Sequence, residues 1–303
     1  MRSVWSFWSE PFRGAKGRTW RSPLHHLLAW GLSVRLAKRL FPDTMLVTDT
    51  PGKALLVDSL GLSFTYVSTE LDELRRCNPG WWSLGKLAAY RIQQQPFVHL
   101  DTDVFLWKPL PSDLLAAPVF AQCPEDHPPL GTWCGPEDIE KAFADEGYEL
   151  PAEWEWCRSR SPYSFREANC GLVGANRVDF MQYYASLALD LAVNPAYSLV
   201  WERFSDLSGY MMILEQFLLH ACFEFHRSHP QSPFRGMYIR YLFPSFGEAY
   251  NQDAAARAGF THLLGDVKCA AYVSQRLEQR MEREDRGFYQ HCIQLSRHAE
   301  LFR

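Results

Sequence analysis

Compact apolar runs alternate with helix-patterned segments over residues 1–111, and this alternation constrains the fold more than any single motif. "SVWSFW" (3–8) reads as a short aromatic strand. "PLHHLLAWGLSVRLAKRLF" (23–41) has Pro at its start, helical apolar spacing and basic residues at its end, which predicts a helix. "TMLVTDT" (44–50) reads as a strand closed by Pro51-Gly52, "KALLVDSLG" (53–61) as a short helix stopped by Gly61, and "LSFTYVST" (62–69) as a strand. "WWSLGKLAAYRIQQQ" (81–95) then predicts a helix and "PFVHLDTDVFL" (96–106) a strand. Such βαβ units form a mostly parallel sheet whose right-handed crossovers gather the loops at the carboxyl edge, where open α/β sheets bind ligands.

Beyond residue 111 the pattern loosens. "VFAQCPE" (119–125) and "ANCGLVGAN" (168–176) read as strands, 178–193 and 210–225 as helices, and 126–168 shows no clear periodicity. A charged helix is expected from "VSQRLEQRMEREDRGFYQHCIQL" onward. We expect one catalytic domain over 1–303: a nucleotide-binding half (1–111), an acceptor and metal half (112–270) and a C-terminal helix (271–303).

With 47% hydrophobic and 22% charged residues the chain has the profile of a folded protein, and its net charge of −4 argues against a general nucleic-acid partner. One local basic concentration, Arg13, Lys16, Arg18 and Arg21 with Arg35, Lys38 and Arg39, reads as a solvated face with favourable helix-end charges, or else as a wall facing an anion. Eight cysteines are scattered without a C-x-x-C pair, so no zinc ribbon is indicated. No secretory signal and no run of eighteen apolar residues is visible, and a cytoplasmic protein with reduced thiols is expected.

Asp101 and Asp103 close the last apolar run of the first half. Residues i and i+2 of a strand share a face, so both carboxylates can aim into one cleft, where their hard oxygens suit Mn²⁺ or Mg²⁺. A turn cap paired with Lys108 is the bland alternative. "HLDTDVFL" also fits, locally, a haloacid-dehalogenase-like phosphatase with Asp101 as nucleophile, although such enzymes carry that strand first.

Together, "WWSLGKLAAYRI" and "PFVHLDTDVFLWKPL" resemble the core of GT-A fold glycosyltransferases, nearest the glycogenin-like and galactosyltransferase-like enzymes and the glucosylating-toxin and mannosyltransferase groups. "EANCGLVGAN", "ILEQFLL" and "THLLGDVK" resemble three further family segments in the family's order. Lys268 is followed by Cys-Ala-Ala rather than Pro-Trp, and Glu215-Gln216 replaces Asp-Gln, which marks a divergent, bacterial group. The resemblance implies transfer from a nucleotide sugar, a UDP-sugar in the first place, to a carbohydrate or protein acceptor, with retention. It implies a metal set of Asp101, Asp103 and His262, and donor-site roles for Trp5, Lys86, Asp101, Asp103, Gly171, Gly265 and Lys268. Glu215, Gln216 and Asn169 become the catalytic candidates, with Asp206 and Glu167 as further possible bases. A non-catalytic glycan-binding or scaffold protein on the same fold is the remaining alternative.

Overall fold

Seven strands form one sheet in the order β10-β6-β9-β4-β1-β2-β3: β1 (Arg2–Phe7), β2 (Thr44–Thr48), β3 (Tyr66–Ser68), β4 (Phe97–Leu100), β6 (Val119–Ala121), β9 (Leu172–Ala175) and β10 (Ile239–Tyr241). This is a computed structural model, and it describes residues 1–13, 20–127 and 134–297. Neighbouring strands run parallel except at β9, which lies antiparallel between β4 and β6. The βαβ alternation of the first half therefore holds, and the second half threads one reversed strand into the same sheet. Two small antiparallel pairs flank it: β5 (Val104–Leu106) with β11 (Phe260–His262), and β7 (Pro124–His127) with β8 (Phe165–Ala168).

Successive strand residues face opposite sides, and the core divides accordingly. Val4, Phe97 and Val173 pack on one face with the helices Leu84–Arg91 and Val178–Val193, while Trp5, Val98 and Leu172 pack on the other with the helix Pro23–Lys38. Phe97 to Leu100 are all buried, as expected of a central strand covered on both sides.

Several expected elements differ. The "LSFTYVST" strand shrinks to Tyr66–Ser68 on the sheet edge, with Tyr66 51% exposed. The run through "HLDTDVFL" is not one strand: Val104 N–H donates to Asp101 C=O at 3.0 Å, and this turn sends β5 into the smaller sheet. The aperiodic stretch holds two helices, Pro136–Asp145 and Ala152–Arg160. The C-terminal helix is two, Ala271–Glu284 and Arg286–Leu295, because Asp285 caps the second by accepting from Phe288 N–H.

Arg35, Lys38 and Arg39 of the basic group do not form a ligand-facing wall. Arg35 pairs with Asp285 and lies over the Phe288 ring, Arg39 pairs with Glu284, and Lys38 donates to Ser63, so this helix end docks the C-terminal helices. Lys16 and Arg18 lie outside the described residues. Among the described residues no helix is long and apolar enough to cross a membrane.

Candidate functional site

The strand order reverses direction at β1, with β2 and β3 on one side and β4 on the other. Crevices at such switch points, at the strands' carboxyl ends, are where open α/β sheets take ligands. Asp101 follows β4 at that point, and its N–H donates to Gly171 C=O of the reversed chain at 2.9 Å. Asp103 is two residues on, inside the turn, and its C=O accepts from Leu263 N–H at 3.1 Å. The turn, and not a shared strand face, brings the two carboxylates together with His262 from β11. One ligand atom from each of the three lies within 4.8 Å of the others.

Each carboxylate has its own ammonium. Lys86 Nζ lies 3.1 Å from Asp101 Oδ1 and 2.6 Å from Glu215 Oε1, and donates to Cys170 C=O at 3.1 Å. It is buried, with three acceptors in contact, so it does not stand as a charge offered to a diphosphate. Its role is to hold Asp101 and Glu215 in place. Burial alone would lower its pKa, but Asp101 and then Glu215 reverse that and raise it. Lys268 Nζ donates to Asp103 Oδ2 at 2.6 Å from the exposed turn Gly265–Cys269. Burial opposes the charge of Asp103, yet Lys268 and His262 hold its carboxyl well below the usual range. Asp101, with 27% of its side chain exposed, is pushed upward by burial and by Asp103 against the pull of Lys86.

His262 is oriented from behind. Its Nδ1 meets Gln122 Oε1 at 2.7 Å, and since that oxygen only accepts, the ring proton sits on Nδ1. This leaves Nε2 facing Asp103 Oδ1, 3.5 Å away. A metal-binding histidine is set in this way by the partner of its other nitrogen. Gln122 carried no signal in the sequence, being one polar residue after a short strand. His99 was also missed; it is buried in β4, meets Ser6 Oγ through Nε2 at 3.0 Å, and is kept neutral by burial and then by Lys86.

The remaining candidates separate. Glu215, wholly buried on a π-helical turn (Ile213–Phe217), touches Lys86 and reaches no solvent, and burial pushes its carboxyl up. That makes it a positioning residue and not a base in contact with an acceptor. Gln216 beside it has a buried Oε1 without a hydrogen-bond partner among the described residues. Asn169 is buried, accepts from Gly171 N–H and donates to Glu125. Gly171 is where a side chain would collide with His262, so its missing Cβ leaves room for that imidazole. Gly265 has a φ of +55° with open space around it, a conformation that favours glycine and lets the Lys268 turn begin. Trp5 is not available for stacking on a base: it is fully buried, its indole donates to Ser33 Oγ, and its ring packs edge-on to Phe64. Trp8 is buried as well. Asp206 accepts from Ser208 in a local turn, and Glu167 belongs to a second cluster on β7 and β8.

A cavity of about 980 Å³ among the described residues does not include the two aspartates. It reaches the site through His262 and runs between β5, β11 and the Ala271–Glu284 helix past Trp107, Tyr272 and Arg276. The buried carboxylates and their cations are the chemically specific feature, and the cavity is the space adjoining them.

Residues 1–295 match the sequence profile of a family described as of unknown function (DUF6734). No curated protein matches the chain.

Proposed function

We propose for this chain, which belongs to the DUF6734 family, the activity of a metal-dependent glycosyltransferase of GT-A type that takes a nucleoside-diphosphate sugar, a UDP-sugar in the first place. The observation that carries the reading is His262 held by Gln122 with Nε2 toward Asp103, beside Asp101, at the switch point of a largely parallel sheet. Asp101, Asp103 and His262 would hold Mn²⁺ or Mg²⁺, and two carboxylates with one neutral imidazole suit such a cation. When bound, the cation supplies Lewis-acid stabilisation of the diphosphate that departs from the anomeric carbon.

The chain's own charges fit that task. Asp101, Asp103 and Glu215 against Lys86 and Lys268 leave one net negative charge, and a divalent ion turns this into one net positive charge facing an anion. Lys86 stays buried and keeps Asp101 aimed. Lys268, on its exposed turn, would exchange Asp103 for a phosphate oxygen once the cation neutralises Asp103.

A melting experiment tests this. UDP and Mn²⁺ together should raise the Tm more than either alone, by roughly 5 °C at a hundredfold excess over Kd. Asp103→Asn should fold and lose that shift. No shift with millimolar UDP and Mn²⁺, or an unchanged shift in Asp103→Asn, would overturn the assignment.

A further inference from the structure

A second cluster sits on the hairpin of β7 and β8. Glu125 and Glu167 are direct cross-strand partners, and His127 lies two residues from Glu125 on the same face. Like charges directly opposite one another weaken a strand pair, and Glu167 is only 4% exposed. One oxygen of Glu167 meets His127 Nε2 at 2.7 Å, while its buried Oε1 has no hydrogen-bond partner among the described residues. Burial, ahead of the opposing pull of His127, pushes the Glu167 carboxyl up, as expected of a carboxylate short of counter-charge. The ring plane of His127 is fixed by stacking on its cross-strand neighbour Phe165, with centroids 4.4 Å apart and planes at 12°. Asn169 Nδ2 donates to Glu125 Oε1, orienting that carboxylate too.

We propose that Glu125, His127 and Glu167 form a second divalent-cation site, taking Zn²⁺ or Mn²⁺ through one imidazole nitrogen and two carboxylates. One ligand atom from each already lies within 4.8 Å of the others. The unpartnered Glu167 oxygen gains a partner, and the two facing carboxylates gain a shared counter-charge. Binding displaces the proton held between His127 Nε2 and Glu167 into solvent, so uptake releases acid. Asn169 links this site to the first, since its Oδ1 accepts from Gly171, the residue packed against His262. The inference does not depend on the transferase activity.

Isothermal titration of the EDTA-stripped full chain with Zn²⁺ tests it. The unaltered chain should take two ions, the Asp101→Asn/Asp103→Asn variant one, and that variant with His127→Ala and Glu167→Gln none. Should the fourfold variant not fold, Glu125→Gln in the Asp101→Asn/Asp103→Asn background should weaken the remaining event by about 10-fold or more. A single ion on the unaltered chain, lost with His127→Ala/Glu167→Gln, supports this site and removes the first. An Asp101→Asn/Asp103→Asn variant that binds no zinc, or that binds it undiminished after the hairpin changes, overturns the proposal.

Discussion

Gly171 shows how closely the site depends on single atoms. A Cβ there would stand 2.2 Å from His262 Cε1 and 2.8 Å from Gln122 Oε1. Gly171→Ala therefore must turn the imidazole off its Gln122 partner. We expect a folded protein whose Mn²⁺-dependent Tm shift is lost, while zinc still binds the β7–β8 hairpin. Lys86 acts differently, through charge. Lys86→Met would leave Asp101 and the wholly buried Glu215 without their cation, and breaking a buried pair costs about 3–5 kcal/mol. Urea unfolding should show a loss of that order, relieved in part by Glu215→Gln, which removes the stranded charge. The paired aspartates stood out in the sequence because short polar residues interrupt an apolar run there, whereas His262 was reached only through the family resemblance of "THLLGDVK". Gln122, Glu125 and His127 were not legible, since their meaning comes from cross-strand pairing that spacing along the chain does not encode. Trp5 was misassigned because an aromatic residue near a strand end reads the same whether it faces a ligand or a helix.

The helix Pro23–Lys38 carries its own pH sensitivity. His26 is buried against Phe12 and accepts from Trp30 Nε1–H, and burial, helped by Lys268, lowers its pKa to about 3. In the unfolded chain it titrates near 6.5. Between those values the unfolded state holds a proton that the folded state lacks, so stability is complete above about pH 6.5 and falls as pH drops toward 3. The slope approaches about 1.4 kcal/mol per pH unit from this group alone. Denaturant melts at pH 7.5 and pH 5 should differ less in His26→Gln, and an equal difference would show that His26 is not the group responsible. Element boundaries were legible where end signals and periodicity agree, as at the start of this helix, where Pro23 opens the apolar spacing. They failed at Asp101–Val104, where an apolar run conceals a turn. The helices Pro136–Asp145 and Ala152–Arg160 went unread although Pro136 is followed by Glu137 and Asp138, a start signal of proline with first-turn acids.

At the scale of the molecule, the C-terminal pair of helices is part of the core. Leu277, Met281, Phe288, Cys292 and Leu295 are buried with the Pro23–Lys38 helix, and Phe288 fills the space over Gly31. In an open helix Gly→Ala would gain up to about 1 kcal/mol of propensity. At position 31 the new Cβ would meet Phe288 Cε1 at 2.2 Å, and overpacking of this kind costs about 1–3 kcal/mol. Gly31→Ala should therefore lower the Tm, and a rise would show that Phe288 moves aside without penalty. The reversed strand β9 has a different kind of consequence, one set by synthesis. Strand β4 needs β9 to cover one of its edges, and β6 joins the sheet only through β9, yet β9 leaves the ribosome about 75 residues after β4. At ~5–20 residues per second the nascent half-sheet waits roughly 4–15 s with the unpaired edge of Phe97–Leu100 open to other chains. For those seconds the open strand edge can pair with a neighbouring nascent chain, a hazard that the final stability of the protein does not remove.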